Sequence, residues 1–483
     1  MSNDDHLGTN TPPQAEQWVS PSGTPPIPQP ASARPHARRR GRPVLLVALL
    51  CVIVVIVAVL GIRQLTQTLG GQDPHHSFTS APTVGYSGSS TSTGAISPAW
   101  ASGVETAWRI PFPSLQYGPR AITTVEGTTL YVLFENPDHA SHQATVAAFD
   151  ISSEQPRELW RTTGSLPESF GRPNFVSFAD QFIVGSIVID KATGAQSLAP
   201  WEGSEALAVV DGVVVACDGK QACSGWAQES SSWMRRWETT TASQEGGLRR
   251  STMLTYPDTP VIGTGEHQSL VLPVDSPTHL VQLLDPRTGQ VTDAASASAF
   301  RDRDNNVVSF AIASDGLVAF NDDVFVTYDA DGFITGVHPY EKSLRRPTRD
   351  GRVPSTSELT DFLVGGLPAW SNAVVTAQTG AVALTVTPSD GSPAFDLDPA
   401  NNDQYHSSPF WPEEVRASAD TSVVYVESVE ANTTGNRFFF DTASGVGHGS
   451  AEFHDAEDLS WAFDDLAIGV TIDGVVAFTP KAT

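Results

Sequence analysis

From Trp100 onward, short apolar runs alternate with clusters of Asp, Asn and Gly: LYVLF, TVAAFD, FIVGSIVID, LAVVDGVVVAC, HLVQLLD, VFVTYD, SVVYVES, RFFFD and LAIGVTIDGVVAF. Alternating and β-branched segments of this length predict strands, and a 3.6-residue period is nearly absent. About 385 residues of short strands would leave a long exposed edge in one open sheet. The expected solution is an all-β fold closed by repetition.

The repeats are degenerate but visible. A strand ending in Asp followed by x-x-Thr/Ser-Gly occurs at Asp190 to Gly194, Asp285 to Gly289 and Asp441 to Gly445. Looser versions begin at Asp150 and run from Asp329 to Gly332, and Gln378-Thr379-Gly380 lacks the Asp. The Asp side chain can accept bonds from turn amides while Gly supplies positive φ, so each copy marks a tight turn between antiparallel strands. Where none is skipped, the turns recur roughly every 40 to 50 residues, the period of a four-stranded propeller blade.

Two turns are followed by Trp about ten residues on, Asp150 by Trp160 and Asp190 by Trp201, and a variant unit carries Trp226, Trp233 and Trp237. In TVAAFDISSEQPRELW and VIDKATGAQSLAPW the chain resembles the pyrroloquinoline-quinone-like β-propeller repeat family, whose units read roughly apolar-Ala-x-Asp-x-x-Thr-Gly-x-x-x-Trp. The resemblance implies that Trp160, Trp201 and Trp237 dock neighbouring blades and that the domain is a seven- or eight-bladed propeller, with eight preferred. No such Trp follows Asp285, Asp329 or Asp441. The lone strand ETAWRI at 105–110 and the unpartnered strands at the other end of the chain are expected to pair and close the ring. Cys217 and Cys223 flank the short turn CDGKQAC between two strands, a spacing compatible with a disulfide.

The segment before the strands changes the picture. Residues 43–62 (PVLLVALLCVIVVIVAVLGI) carry no charge, and about 20 apolar residues span roughly 30 Å of hydrocarbon. They are expected to form a single transmembrane helix. Arg38, Arg39, Arg40 and Arg42 precede the run and only Arg63 follows closely, a topology signal that keeps the N-terminal side cytoplasmic and exports the rest. The run is long for a signal-peptide core and ends without a small-x-small site, so it reads as an uncleaved signal anchor. Residues 1–42, with eight Pro, are expected to be a disordered cytoplasmic tail. Residues 63–98 form a Gly/Ser/Thr-rich linker with a reach of roughly 33 Å, and 99–483 the propeller.

Charge follows the same partition. The chain carries 28 Lys and Arg against 54 Asp and Glu, a net charge of −26. The tail is slightly basic, which leaves 23 basic and 51 acidic residues from position 63 onward. A body at −28 repels phosphate, so nucleic acid is excluded as a partner class.

Candidate chemistry is sparse. The quinoprotein dehydrogenases of the wider family use adjacent cysteines against the cofactor, and no Cys-Cys pair exists here, so the quinone is not carried over. Gly-x-Ser-x-Gly, His-Glu-x-x-His and the phosphate loop are all missing from the sequence. Asp302-Arg303-Asp304-Asn305-Asn306 is dense enough in oxygen ligands to leave calcium open, and His75-His76 and His139 with His142 are incomplete metal sets. Two polar insertions stand out as positive islands, 239–260 with Arg249-Arg250, and 339–357, where Arg345, Arg346 and Arg349 form a candidate contact loop. The expected function is a membrane-anchored extracytoplasmic propeller, without cofactor or catalysis, that binds or scaffolds an envelope protein or polymer. The alternative is a quinone- or metal-dependent oxidoreductase with its site in the funnel.

Overall fold

The computed structural model describes residues 94–482, apart from the connections 113–119, 136–142, 166–174, 243–248, 251–259, 264–266, 301–307, 341–344, 349–351, 378–382, 399–411 and 429–435 and a few single positions. The proposed span at 43–62 lies outside them, as do the tail and most of the linker. Among the described residues no helix is long and apolar enough to cross a membrane.

The strands assemble into eight antiparallel sheets, the blades, covering residues 120–165, 176–198, 205–240, 261–296, 309–339, 345–397, 412–448 and 457–480. Each of the first seven contains four consecutive strands. First strands of consecutive blades come together; Thr123 Oγ1 of blade 1 lies 3.2 Å from Ser460 Oγ of blade 8. The first strand is therefore innermost and the fourth outermost. Blade 8 supplies only three strands from its own sequence, and Val104–Pro111 pairs antiparallel with Gly474–Pro480 to complete it. That is the pairing expected from the two unpartnered segments, and the count settles at eight.

Ring closure is visible in the core. Eight clusters of buried side chains occur, each shared by two consecutive blades. The cluster between blade 8 and blade 1 joins Ile468, Val475 and Ala477 to Leu130, Val132 and Phe134. Successive residues of a strand face opposite sides of the sheet, so each apolar run buries one set of side chains against the blade before and one against the blade after. This is why the runs read as nearly continuous and not strictly alternating.

Three features depart from the plain repeat. Arg249–Arg250 adds a short parallel strand beside Ser309–Ala313, on the inner side of blade 5. A helix, Thr356–Leu363, lies between the first two strands of blade 6 and places Leu359 and Phe362 in the cluster shared with blade 5. Its start is set by Ser355, which accepts from the Glu358 amide while the Glu358 carboxylate accepts from the Ser355 amide. Thirdly, Pro98–Ser102 forms a turn of 3-10 helix that seats Trp100, fully buried, between blades 7 and 8. Its indole stacks on Phe439 at 4.1 Å and donates to the Asp464 carbonyl at 2.8 Å.

Candidate functional site

The Asp-x-x-Thr/Ser-Gly turns share one geometry. At Asp190 the Thr193 amide and hydroxyl donate to one carboxylate oxygen at 2.7 and 2.6 Å, and the Gly194 amide donates to the Asp190 carbonyl at 2.8 Å. Asp285 accepts from the Arg287 amide and the Thr288 hydroxyl, both at 2.8 Å, and Asp441 from the Ala443 amide and the Ser444 hydroxyl. Asp329 accepts from the amides of Asp331 and Phe333, and Asp150 from Ser152 and Arg157. The Ser152 hydroxyl, followed by Arg157, lowers the Asp150 carboxyl to about 2. Gly194, Gly289, Gly332 and Gly445 close their turns at φ between 70° and 78°, a region costly for any residue with a Cβ.

Two turns receive a tryptophan from the preceding blade. Trp160, in the outer strand of blade 1, donates its indole N–H to the Lys191 carbonyl of the blade 2 turn at 2.8 Å. Trp237, in the outer strand of blade 3, does the same to the Pro286 carbonyl of blade 4 at 2.8 Å. A Cβ built on Gly194 would lie 2.5 Å from the Trp160 ring, and one on Gly289 would lie 2.6 Å from the Trp237 ring. Glycine is thus needed twice over, for the turn and for the indole above it. Trp201 is arranged differently. It is buried between blades 2 and 3, but its N–H runs back to the Gly185 carbonyl of its own blade at 3.2 Å. Where the turn of blade 5 comes round, Ala294 of blade 4 stands against Gly332 in place of an indole.

Cys217 and Cys223 form a disulfide across the hairpin between the second and third strands of blade 3, where the two residues are paired directly opposite each other with Cα atoms 4.1 Å apart.

Arg345 and Arg346 do not lie in a projecting loop. Arg345–Pro347 is the innermost strand of blade 6. Arg345 donates to the carbonyls of Phe362 at 3.1 Å and Gly366 at 2.8 Å, and lies 4.9 Å from the Phe362 ring. It therefore caps the C-terminal end of the blade 6 helix, where carbonyls lack partners and a cation is favourable. Burial lowers the basicity of both Arg345 and Arg346. The polar run misled at Arg345, whose charge serves the backbone of an inserted helix. Arg349 lies outside the described residues, as do Asp302 to Asn306, His75, His76, His139 and His142. Among the described residues no three His, Cys, Asp or Glu side chains are grouped to hold a metal.

A buried ionic network in blade 7 was not legible in the sequence. Arg416, with its side chain 2% exposed, donates to Glu414 at 2.8 Å and lies 4.9 Å from the Trp461 ring. Arg437 donates to Glu427 at 2.7 Å and to the carbonyls of His454 and Ala456, reaching the boundary with blade 8. The Tyr425 hydroxyl donates to Glu427 at 3.2 Å, and His454 Nδ1 accepts from the Arg437 amide at 3.1 Å. Burial pushes Glu427 upward against the pull of Arg437. Burial, reinforced by the Arg437 charge, lowers His454 to about 4. The carboxylates are engaged by guanidinium groups and the imidazole accepts a backbone N–H, so the arrangement suits rigidity more than proton transfer.

No protein-family model matches the chain, and no curated protein matches it by sequence. The resemblance to the quinone-like repeat therefore stays a likeness of motif. Among solved structures, the chain is similar to the WD40 domain of SCAP from fission yeast at 7% identity and a TM-score of 0.39, over 79% of this chain and 98% of that one. It is similar to the Neurospora crassa Pan2 WD40 domain at 10% identity and 0.33, over 79% and 97%. Chaetomium thermophilum Sqt1 matches at 9% and 0.37, over 78% and 98%. Likenesses this distant carry no argument about partners; the propeller rests on the eight sheets and eight shared clusters themselves.

Proposed function

We propose that this chain is a single-pass membrane-anchored β-propeller whose domain lies outside the cytoplasm and binds a protein or envelope polymer without catalysing a reaction. The observation that carries this reading is the Cys217–Cys223 disulfide. Such bonds persist in oxidising compartments and are rare where thiols are kept reduced. The uncharged run 43–62 behind Arg38, Arg39, Arg40 and Arg42 supplies the route to such a compartment. A ring with a core at every blade boundary is rigid, and rigid scaffolds present binding surfaces at little entropic cost.

Protease treatment of intact cells, read with an epitope at each end of the chain, tests the topology. The propeller is digested while the tail survives; full protection of the propeller overturns the reading. In-cell crosslinking from the propeller surface tests the binding role, with a reproducible envelope partner as the expected result.

A further inference from the structure

Blades 2 and 3 are badly matched in size. The four strands of blade 2 are three or four residues long, whereas the third and fourth strands of blade 3, Ala222–Glu229 and Ser232–Thr240, have eight and nine. The outer half of blade 3 therefore overhangs its neighbour. On the overhanging face Trp226 is opposite Arg235 and Trp233 opposite Gln228, and directly opposed residues of a ladder share a face. Both indoles are partly exposed. Trp201, buried beneath them, lies 5.9 Å from Trp226 and 5.1 Å from Trp233, and Phe178 of blade 2 lies 5.1 Å from Trp233. The result is a groove walled by aromatic rings held at fixed tilts.

Its polar groups are balanced. Arg235 and Glu238 form an exposed pair at 2.7 Å, so these two charges cancel beside the indoles of a domain at −28. Gln181, opposite Phe178 on the same face, keeps a buried Oε1 without a hydrogen-bond donor among the described residues. Partly exposed aromatic rings with a charge-balanced, hydrogen-bonding Arg–Glu pair beside them match a ligand that has apolar C–H faces and many hydroxyls. An anionic polymer is repelled by the body, and a strongly cationic one would bind the acidic surface without needing this groove.

We infer that the groove between blades 2 and 3 binds a neutral polysaccharide, with its sugar rings on Trp226 and Trp233 and its hydroxyls on the Arg235–Glu238 pair. The inference rests on the reading that the domain lies outside the cytoplasm, where such polymers are found. The test uses the full chain in lipid nanodiscs, to avoid glycoside detergents, against soluble glucan, mannan and galactan, dextran sulfate and a proline-rich peptide. At least one neutral polymer should retard the protein in affinity electrophoresis and quench its tryptophan fluorescence. Trp233→Ala should weaken that binding by at least about tenfold, equivalent to about 1.4 kcal/mol. Arg235→Ala with Glu238→Ala, at positions too exposed to threaten folding, should weaken it severalfold, and Phe333→Ala on the outside of blade 5 should change nothing. Binding by none of the neutral polymers, or binding indifferent to both groove variants, overturns the inference. Groove-dependent binding of the peptide or of dextran sulfate instead overturns the assignment to neutral sugar. The protease experiment on cells reads the topology separately, so a cytoplasmic domain and an inert groove are distinguishable failures.

Discussion

The boundaries between blades 3 and 4 and between blades 7 and 8 do the same job by opposite means. At the first, Trp237 lies on the Gly289 turn and gives its single N–H to the Pro286 carbonyl, above a cluster of apolar side chains. At the second, Arg437 and Glu427 pair under cover, with Trp100 wedged beside Phe439. An indole loses little on burial because one polar atom needs one partner. A guanidinium and a carboxylate lose several kcal/mol each and recover it only when every partner is in place. The first boundary should therefore tolerate damage by degrees, and the second should not.

The largest effect is expected from Arg437→Ala. It leaves Glu427 buried without its cation and should cost about 3–5 kcal/mol in denaturant unfolding. Converting Arg437 and Glu427 together to Leu should recover most of that loss, and a pair variant as unstable as the single one would contradict this account. Next comes Trp237→Ala, at about 3 kcal/mol, the low end for a buried aromatic. Reducing the Cys217–Cys223 bond, or replacing both residues by Ser, should cost about 2 kcal/mol, since the closed loop is short.

Finer variants sharpen the contrast. Gly445→Ala, where no atom lies within 4 Å of an added Cβ, should cost about 1 kcal/mol for its positive φ alone. Gly289→Ala must also displace the Trp237 ring and should cost clearly more. A last effect shows only as the pH falls. His454 sits near 4 when folded and near its ordinary 6.5 when unfolded, so the unfolded chain takes up the proton first. Its contribution is complete above about 6.5 and is lost as pH falls toward about 4. His454→Gln should flatten the melting temperature over that window, leaving below it the separate loss caused by protonating Asp150 and Glu358, both lowered to about 2.

The two boundaries were not equally readable. The turn device is local: Asp, Thr and Gly stand within five residues, and each recurrence repeats the signal. The blade period could be inferred from such spacing, and the docking role of Trp160 and Trp237 from the resemblance to the propeller repeat. The ionic network joins Glu414 and Arg416 from one strand, Glu427 and Arg437 from the next two and His454 from a short helix, and along the sequence each charge looks like an ordinary outward residue. Only the registers Glu414 with Glu427 and Glu427 with Arg437 bring them inside. The blade 6 helix was missed for another reason. Ser355 and Glu358 spell its start, but the surrounding arginines suggested a polar loop, although Arg345 caps the helix and Arg352 binds Glu358. The groove aromatics Trp226 and Trp233 were visible as residues; their exposure depends on the short strands of blade 2, which no local motif announces.

The strand Val104–Pro111 carries a consequence for how this molecule is made. Its partner is Gly474–Pro480, and the Ser102 hydroxyl meets the Lys481 carbonyl across 379 positions of chain. During synthesis the eighth blade cannot be completed until residues near 480 have left the ribosome, so for most of translation an unpaired edge and the open flank of blade 1 face solvent. Contacts this distant in sequence form slowly and leave time for wrong pairings. Ring closure is therefore the late, error-prone step of biogenesis, and a chain that has emerged only as far as Gly474 is the species that chaperones on the side where the domain folds would have to hold.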